Sequence, residues 1–520
     1  MAVTVTANEN EYQYVPSDAA GPGTVPAMAR RGDMQEVELL DGDEHVTEQP
    51  ETPARSRRGP RWVAAGAVAV ALSLVGTQWV VDSREAAAVA RLASVAGVFP
   101  QLGDELVVVR EMSSVEGYDL WSAIEIGDAR TATLTVAPDG SQSVEAVDQR
   151  TGAALWSTPL VGPSTERAAT RENGSGGRCQ GDGGWEEAST LLVCLATDGF
   201  VRYGNETEER FPATTTRVVV LDSGDGHVVA EWAVAHGSRL AVVGDLAVVG
   251  TRDAQDGVVV VGHDVQTGDE QWRYREPVEA ADVTPTEQQD WGLFTAGDAV
   301  ALYDGDGYVV LSETGALVRD DLREAGQDAG LGTDPVTGQL MISTYGGSSP
   351  TTTTLLAPDA DPAGDVVLQG EPVRVTVDDG SLPGLTLTYR GHAYAWDRRT
   401  GEQLWEAKVQ PSYNALILRG RLYLTTSTEI AGLDGRTGEV LWRTPLPVSG
   451  QGMLATDGRD LMLLSSAYDD SGVGRVTVYD LGTGDETRTI EFPPGVSDIQ
   501  LMHGLLVGWS YTTDGITVLE

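Results

Sequence analysis

Lysine is almost missing from this 520-residue chain: Lys408 is the only one, and arginine supplies the other basic side chains. Against 35 basic groups stand 78 carboxylates, a net charge of −43. Such a surface repels phosphate backbones and anionic lipid, which argues against nucleic-acid binding. The bias toward Arg, Ala, Gly and Val points to a GC-rich genome of the actinobacterial kind. Two cysteines are too few for a Cys-rich zinc knuckle. The six histidines are His45, His227, His236, His263, His392 and His503, and no two share the H-x-x-x-H spacing of a helical zinc site. There is no P-loop, no G-x-S-x-G elbow and no strand–helix alternation of the dinucleotide-binding kind. No catalytic, cofactor-binding or metal-binding residue is assigned on this ground, and a non-enzyme is the favoured reading.

What is present is a phrase, Asp-x-x-Thr-Gly with Trp four residues after the Gly. It comprises Asp148, Thr151, Gly152 and Trp156; Asp264, Thr267, Gly268 and Trp272; Asp397, Thr400, Gly401 and Trp405; and Asp434, Thr437, Gly438 and Trp442. Weaker copies stand at Asp222 and Asp480. Recurrence at this spacing marks a repeat architecture. A β-rich run precedes each copy and a second follows, as in Glu439-Val440-Leu441-Trp442, so each phrase reads as a hairpin turn. The Asp can accept hydrogen bonds from backbone N–H groups just beyond it, and the Gly can take the positive φ that closes the turn. A recurring Trp is expected to pack one unit on the next. The segments between copies read as further strands, giving four per repeat, the blade of a β-propeller. The 133 residues between Asp264 and Asp397 hold room for degenerate copies around 312–315 and 359–365. The count is then eight blades, with seven to nine as the range. Strands after Phe492 are expected to pair with 105–110 and so close the ring.

With Ala two residues before the Asp, the phrase resembles the repeat of PQQ-like propellers, of the broader WD40/YVTN-like repeat superfamily. These occur in quinoprotein alcohol dehydrogenases and in the propeller lipoprotein of the outer-membrane β-barrel assembly machine. Ala146 to Trp156 and Ala395 to Trp405 match in full, and Gly262, Gly432, Val220 and Val478 replace the Ala elsewhere. Arg488 stands where the last copy's Trp would be. The resemblance implies an all-β, PQQ-like propeller over 105–520. In the dehydrogenases it implies PQQ and Ca²⁺ in the central funnel beneath a vicinal Cys pair. Cys179 and Cys194 are 15 positions apart, so no cofactor is expected here, with PQQ and Ca²⁺ kept as the alternative.

Residues 62–81 form an uncharged apolar run of 20, long enough to span a bilayer as a helix. Arg55, Arg57, Arg58 and Arg61 precede it, and the positive-inside rule places the N-terminus in the cytoplasm and the propeller outside the plasma membrane. The domain plan is therefore a disordered acidic tail at 1–54, a basic segment at 55–61, a single transmembrane helix at 62–81, a partly helical linker at 82–104 and the propeller at 105–520.

On the outer side, Cys179 and Cys194 are expected to form a disulfide, with two buried thiols or a redox pair as alternatives. The acidic loops 222–226, 304–307 and 359–365 are read as hairpin turns, with weak Ca²⁺ sites as the alternative. Asn173 and Asn205 open glycosylation-type triplets that are read as polar loops. The long segment 161–212 is the candidate functional surface. The functional expectation is a membrane-anchored binding or scaffold module of the bacterial envelope whose partner is an envelope or secreted protein. A PQQ-dependent membrane dehydrogenase is the alternative.

Overall fold

Runs of Val, Leu and Ala punctuated by Gly and Asp turns build antiparallel four-stranded sheets. The computed structural model describes residues 91–92, 95–113, 120–168, 177–183, 188–203, 208–253, 257–276, 291–304, 307–324, 329–334, 337–344, 351–357, 361–412, 414–446, 452–466, 474–511, 513 and 515–520. All lie in a unit spanning 84–520. The expected tail, basic segment and transmembrane helix lie outside the described residues. Among those described, no helix is long and apolar enough to cross a membrane. In the expected linker, residues 95–104 are turn and extended chain.

Eight sheets follow one another along the chain. They are blades 1 (124–161), 2 (178–233), 3 (239–275), 4 (291–319), 5 (329–369), 6 (371–407), 7 (415–445) and 8 (452–491). A ninth joins the chain ends: Asp498–Met502, Leu505–Trp509 and Ile516–Leu519 are completed by Val108–Met112, which pairs antiparallel with the last of them. The propeller thus has nine blades among the described residues, not the eight expected. The phrases and their degenerate copies count one blade each from 1 to 8. Blade 9 has no such phrase because its fourth strand comes from the other end of the chain.

Each blade is apolar on both faces and buries them against its two neighbours. One core cluster joins blades 1 and 2 through Val144, Ala146, Cys194 and Val219. The sequence of shared cores continues through blades 2–3, 3–4, 4–5, 5–6, 6–7, 7–8 and 8–9. The circle closes where Met112, Val507 and Val518 of blade 9 pack with Ala129 of blade 1. Closure leaves no blade face open to solvent.

Two segments depart from the plain blade plan. Val375–Asp378 adds to blade 7 as a fifth strand, parallel to Ala415–Leu418 on its axis side. The stretch around Phe99 leads into blade 9 past blade 8, with the Phe99 N–H on the Thr456 carbonyl at 2.8 Å.

Candidate functional site

The antiparallel order puts the turns between strands one and two, and between three and four, at one end of the ring. The turns between strands two and three, and the blade-to-blade connections, lie at the other. The repeat phrases are the three–four turns. In each full copy the Asp Oδ1 accepts the Thr N–H and the Thr hydroxyl: 2.9 and 2.9 Å at Asp148, 2.9 and 3.1 Å at Asp264, 2.9 and 3.0 Å at both Asp397 and Asp434. These bonds favour the ionised form, so the carboxyls of Asp148 and Asp397, held chiefly by the Thr N–H, lie below the usual range. Asp434 is lowered chiefly by the Thr437 hydroxyl. The next Gly takes φ 72°, 75°, 68° and 71° at Gly152, Gly268, Gly401 and Gly438. Asp334, Thr337 and Gly338 repeat the same turn between strands one and two of blade 5, with no Trp to follow.

The Trp of one blade seats on the turn of the next. The indole N–H of Trp156 donates to the Ser223 carbonyl at 3.0 Å, that of Trp272 to Glu313 at 2.7 Å, that of Trp405 to Gly435 at 3.0 Å and that of Trp442 to Leu481 at 3.4 Å. The turn glycine must stay bare: a Cβ at Gly226 would lie 2.3 Å from Trp156, at Gly438 2.7 Å from Trp405, and at Gly484 2.3 Å from Trp442. Arginine takes over this role at three interfaces. Arg488 reaches the carbonyls of Leu102 and Gly103, Arg110 of blade 9 reaches the Gln149 carbonyl of blade 1, and buried Arg319 of blade 4 pairs with Asp365 in the turn of blade 5.

The opposite end carries the insertions. Between strands two and three of blade 2, Phe200–Tyr203 and Glu208–Phe211 form a separate two-stranded arm. Phe200 and Phe211 stack at its base, 4.2 Å apart. Beside them Asp198 accepts from the Thr214 and Thr215 N–H groups, at 2.8 and 2.9 Å, and from the Thr214 hydroxyl. Burial alone would raise this carboxyl, but those donors outweigh it and hold it at about 2. Next to the arm a cleft of about 510 Å³ opens between blades 1 and 2. Leu160, Val161 and Val234 supply its apolar wall, and Thr216, Arg217 and His236 its polar one. His236 Nδ1 lies 3.0 Å from the Thr216 hydroxyl, and Arg217 pairs with Glu231 at 2.8 Å. The described parts of the expected segment 161–212 thus contribute to the arm and to one wall of this cleft.

Residues 359–505 match the family model described as outer membrane protein assembly factor BamB. Over those residues the chain carries a PQQ-like repeat, and its described part has the β-propeller fold. No curated protein matches it. Among solved structures the PQQ-like propeller is similar to BamB from Moraxella catarrhalis, at 14% identity, covering 80% of this chain and 99% of that one, with a TM-score of 0.36. It is similar to quinohemoprotein alcohol dehydrogenase from Comamonas testosteroni, at 13% identity, covering 79% of this chain and 74% of that one, with a TM-score of 0.32. Likenesses this distant carry no functional assignment.

The cysteines of this PQQ-like propeller do not fit the quinone arrangement of the dehydrogenases. Cys179 and Cys194 are disulfide-bonded directly across the first two strands of blade 2, with Cys194 fully buried. A rung locked inside a blade cannot serve as an adjacent pair over a cofactor. Of the acidic loops, 305–306 and 358–360 lie outside the described residues, as do Asn173 and Asn205. Asp361 caps a turn through the Ala363 N–H at 3.0 Å. Asp222, Asp225 and His227 are the one group of three potential metal ligands among the described residues, with donor atoms within 4.8 Å of one another. His227 Nδ1 and Asp225 Oδ1 already meet at 2.6 Å, and that bond pushes the His227 pKa up.

Proposed function

We propose that this PQQ-like propeller is a membrane-anchored, extracytoplasmic scaffold of the bacterial envelope that binds protein partners and performs no catalysis. The observation that carries the reading is the division of labour between its two ends. At one end the Asp, Thr, Gly and Trp of the full repeats build turns and lock blade to blade. At the other, an inserted arm and a cleft are mounted on that rigid frame, which is where recognition loops usually sit. The family description over 359–505 supports a role in assembly. The apolar run 62–81 behind four arginines supports the anchor and its orientation. A net charge of −43 favours a cationic partner surface.

The test is site-specific photocrosslinking of the full chain in its native cells. A crosslinker at Thr215 on the cleft rim is expected to trap a protein, and one at Arg399 on the turn end is not. Equal capture from both positions, or none from any cleft position, contradicts the proposal.

A further inference from the structure

Among the described residues every blade ends in an outer strand with a single neighbour, so its far edge presents backbone N–H and C=O groups that no described strand pairs. Folded proteins protect such edges by keeping them short or charged. Eight of these outer strands obey the rule, with lengths of three to six residues. Seven of the eight carry Arg, Glu or both; the exception, Val366–Gln369, has only four residues. Blade 1 breaks both conditions. Its outer strand, Ala153–Val161, has nine residues and no charge.

The strand is also held firmly from behind. Trp156 donates to the Ser223 carbonyl, and the Thr158 hydroxyl donates to the Gly226 carbonyl at 2.5 Å, both on blade 2. Before and between these anchors, Ala153, Leu155 and Ser157 are exposed. Pro159 has no N–H to offer, so pairing along this edge is limited to 153–158, with an interruption at Leu155, where the register against the third strand shifts by a bulge. Just beyond it, Leu160, Val161 and Gly162 form one wall of the cleft. Of the charges around the edge, Glu231 on the neighbouring outer strand and Arg217 pair with each other, and Arg110 of blade 9, beside Gly152, is held at the Gln149 carbonyl; Glu145, in register with Ser157, is the carboxylate that remains.

Building on the scaffold reading, we propose that residues 153–158 accept an extended, cationic segment of the protein partner as a fifth strand of blade 1, with the cleft receiving the side chain that follows. Backbone bonds supply the affinity, and Glu145 selects Lys or Arg on the incoming strand.

The probe is a fluorescent heptapeptide of alternating Val with Lys or Arg, titrated into the full-length protein and followed by anisotropy. Leu155→Lys or Ser157→Lys, which give this edge the protection other blades have, should weaken binding by about tenfold or more. Leu404→Lys places the same charge on the outer strand of blade 6 and should change nothing. A peptide N-methylated at alternate backbone nitrogens should not bind. Equal binding of the N-methylated peptide, equal loss in Leu404→Lys, or no binding at millimolar peptide overturns the proposal. Self-association abolished by Leu155→Lys would give the edge to a second copy and also overturn it. If Thr215 still crosslinks its partner in cells carrying Leu155→Lys, the strand proposal fails and the scaffold reading stands.

Discussion

Replacing Gly438 with alanine probes the lock between blades 6 and 7 and separates its two components. At φ 71° a Cβ costs about 1–2 kcal/mol in backbone strain. That Cβ would also lie 2.7 Å from Cδ2 and Cε3 of Trp405, and overpacking of this kind costs about 1–3 kcal/mol. The variant should therefore lose about 2–5 kcal/mol. Trp405 is buried, 6% exposed, within the core shared by the two blades. Trp405→Ala should lose about 3–5 kcal/mol on its own. In that background the clash disappears and only the strain of Gly438→Ala remains. The double variant should fall short of the sum by about 1–3 kcal/mol, the coupling of groups in contact. Urea denaturation followed by far-ultraviolet circular dichroism measures all three. Additivity within about 0.5 kcal/mol would refute the claim that the glycine is required by the neighbouring Trp.

Other outcomes follow from the same geometry. Replacing both Cys179 and Cys194 with serine opens a 15-residue loop and should cost about 3 kcal/mol of unfolding free energy, read by calorimetry. Asp198 has a folded pKa of about 2, below its unfolded value. The stability it lends the arm is present above the unfolded pKa and is lost as pH falls from about 4 toward about 2. Hydrogen exchange across 200–203 and 208–211 should show protection fading in that window, and in Asp198→Asn already at neutral pH. Arg488→Ala removes the donors that hold 102–104 and should cost about 1.5–3 kcal/mol, with faster exchange confined first to that segment.

Much of this frame was readable because the repeat residues report their own geometry. An Asp three residues before a Thr-Gly pair builds its turn at each described copy, and a Trp four past the Gly lies within reach of the next blade. The rest was hidden for specific reasons. The pairing of the tail with the stretch near 105–110 was expected and occurs between Ile516–Leu519 and Val108–Met112; that it completes a separate ninth blade was not, because this blade has no phrase. Arg110, Arg319 and Arg488 replace the Trp with a guanidinium that bonds to the next blade's turn or lead-in; Arg319 and Arg488 stand at the Trp position, four residues after Gly315 and Gly484, while Arg110 follows no phrase. Asp334 carries the repeat's own turn at the wrong corner of its blade, so the phrase alone does not give strand position. The widened interval between Asp148 and Asp222 was visible, and with it the segment 161–212, which also supplies the first two strands of blade 2. Its arm and cleft were not, because the contacts that form them, Phe200 with Phe211 and Arg217 with Glu231, are tertiary.

The central claim, that this propeller binds rather than catalyses, is tested most directly by titrating the full-length protein with PQQ, with and without Ca²⁺, in a calorimeter, beside a dye-linked alcohol and sugar oxidation assay. The account predicts no stoichiometric heat and no turnover. Tight one-to-one binding accompanied by dye reduction would contradict it and make the chain an oxidoreductase.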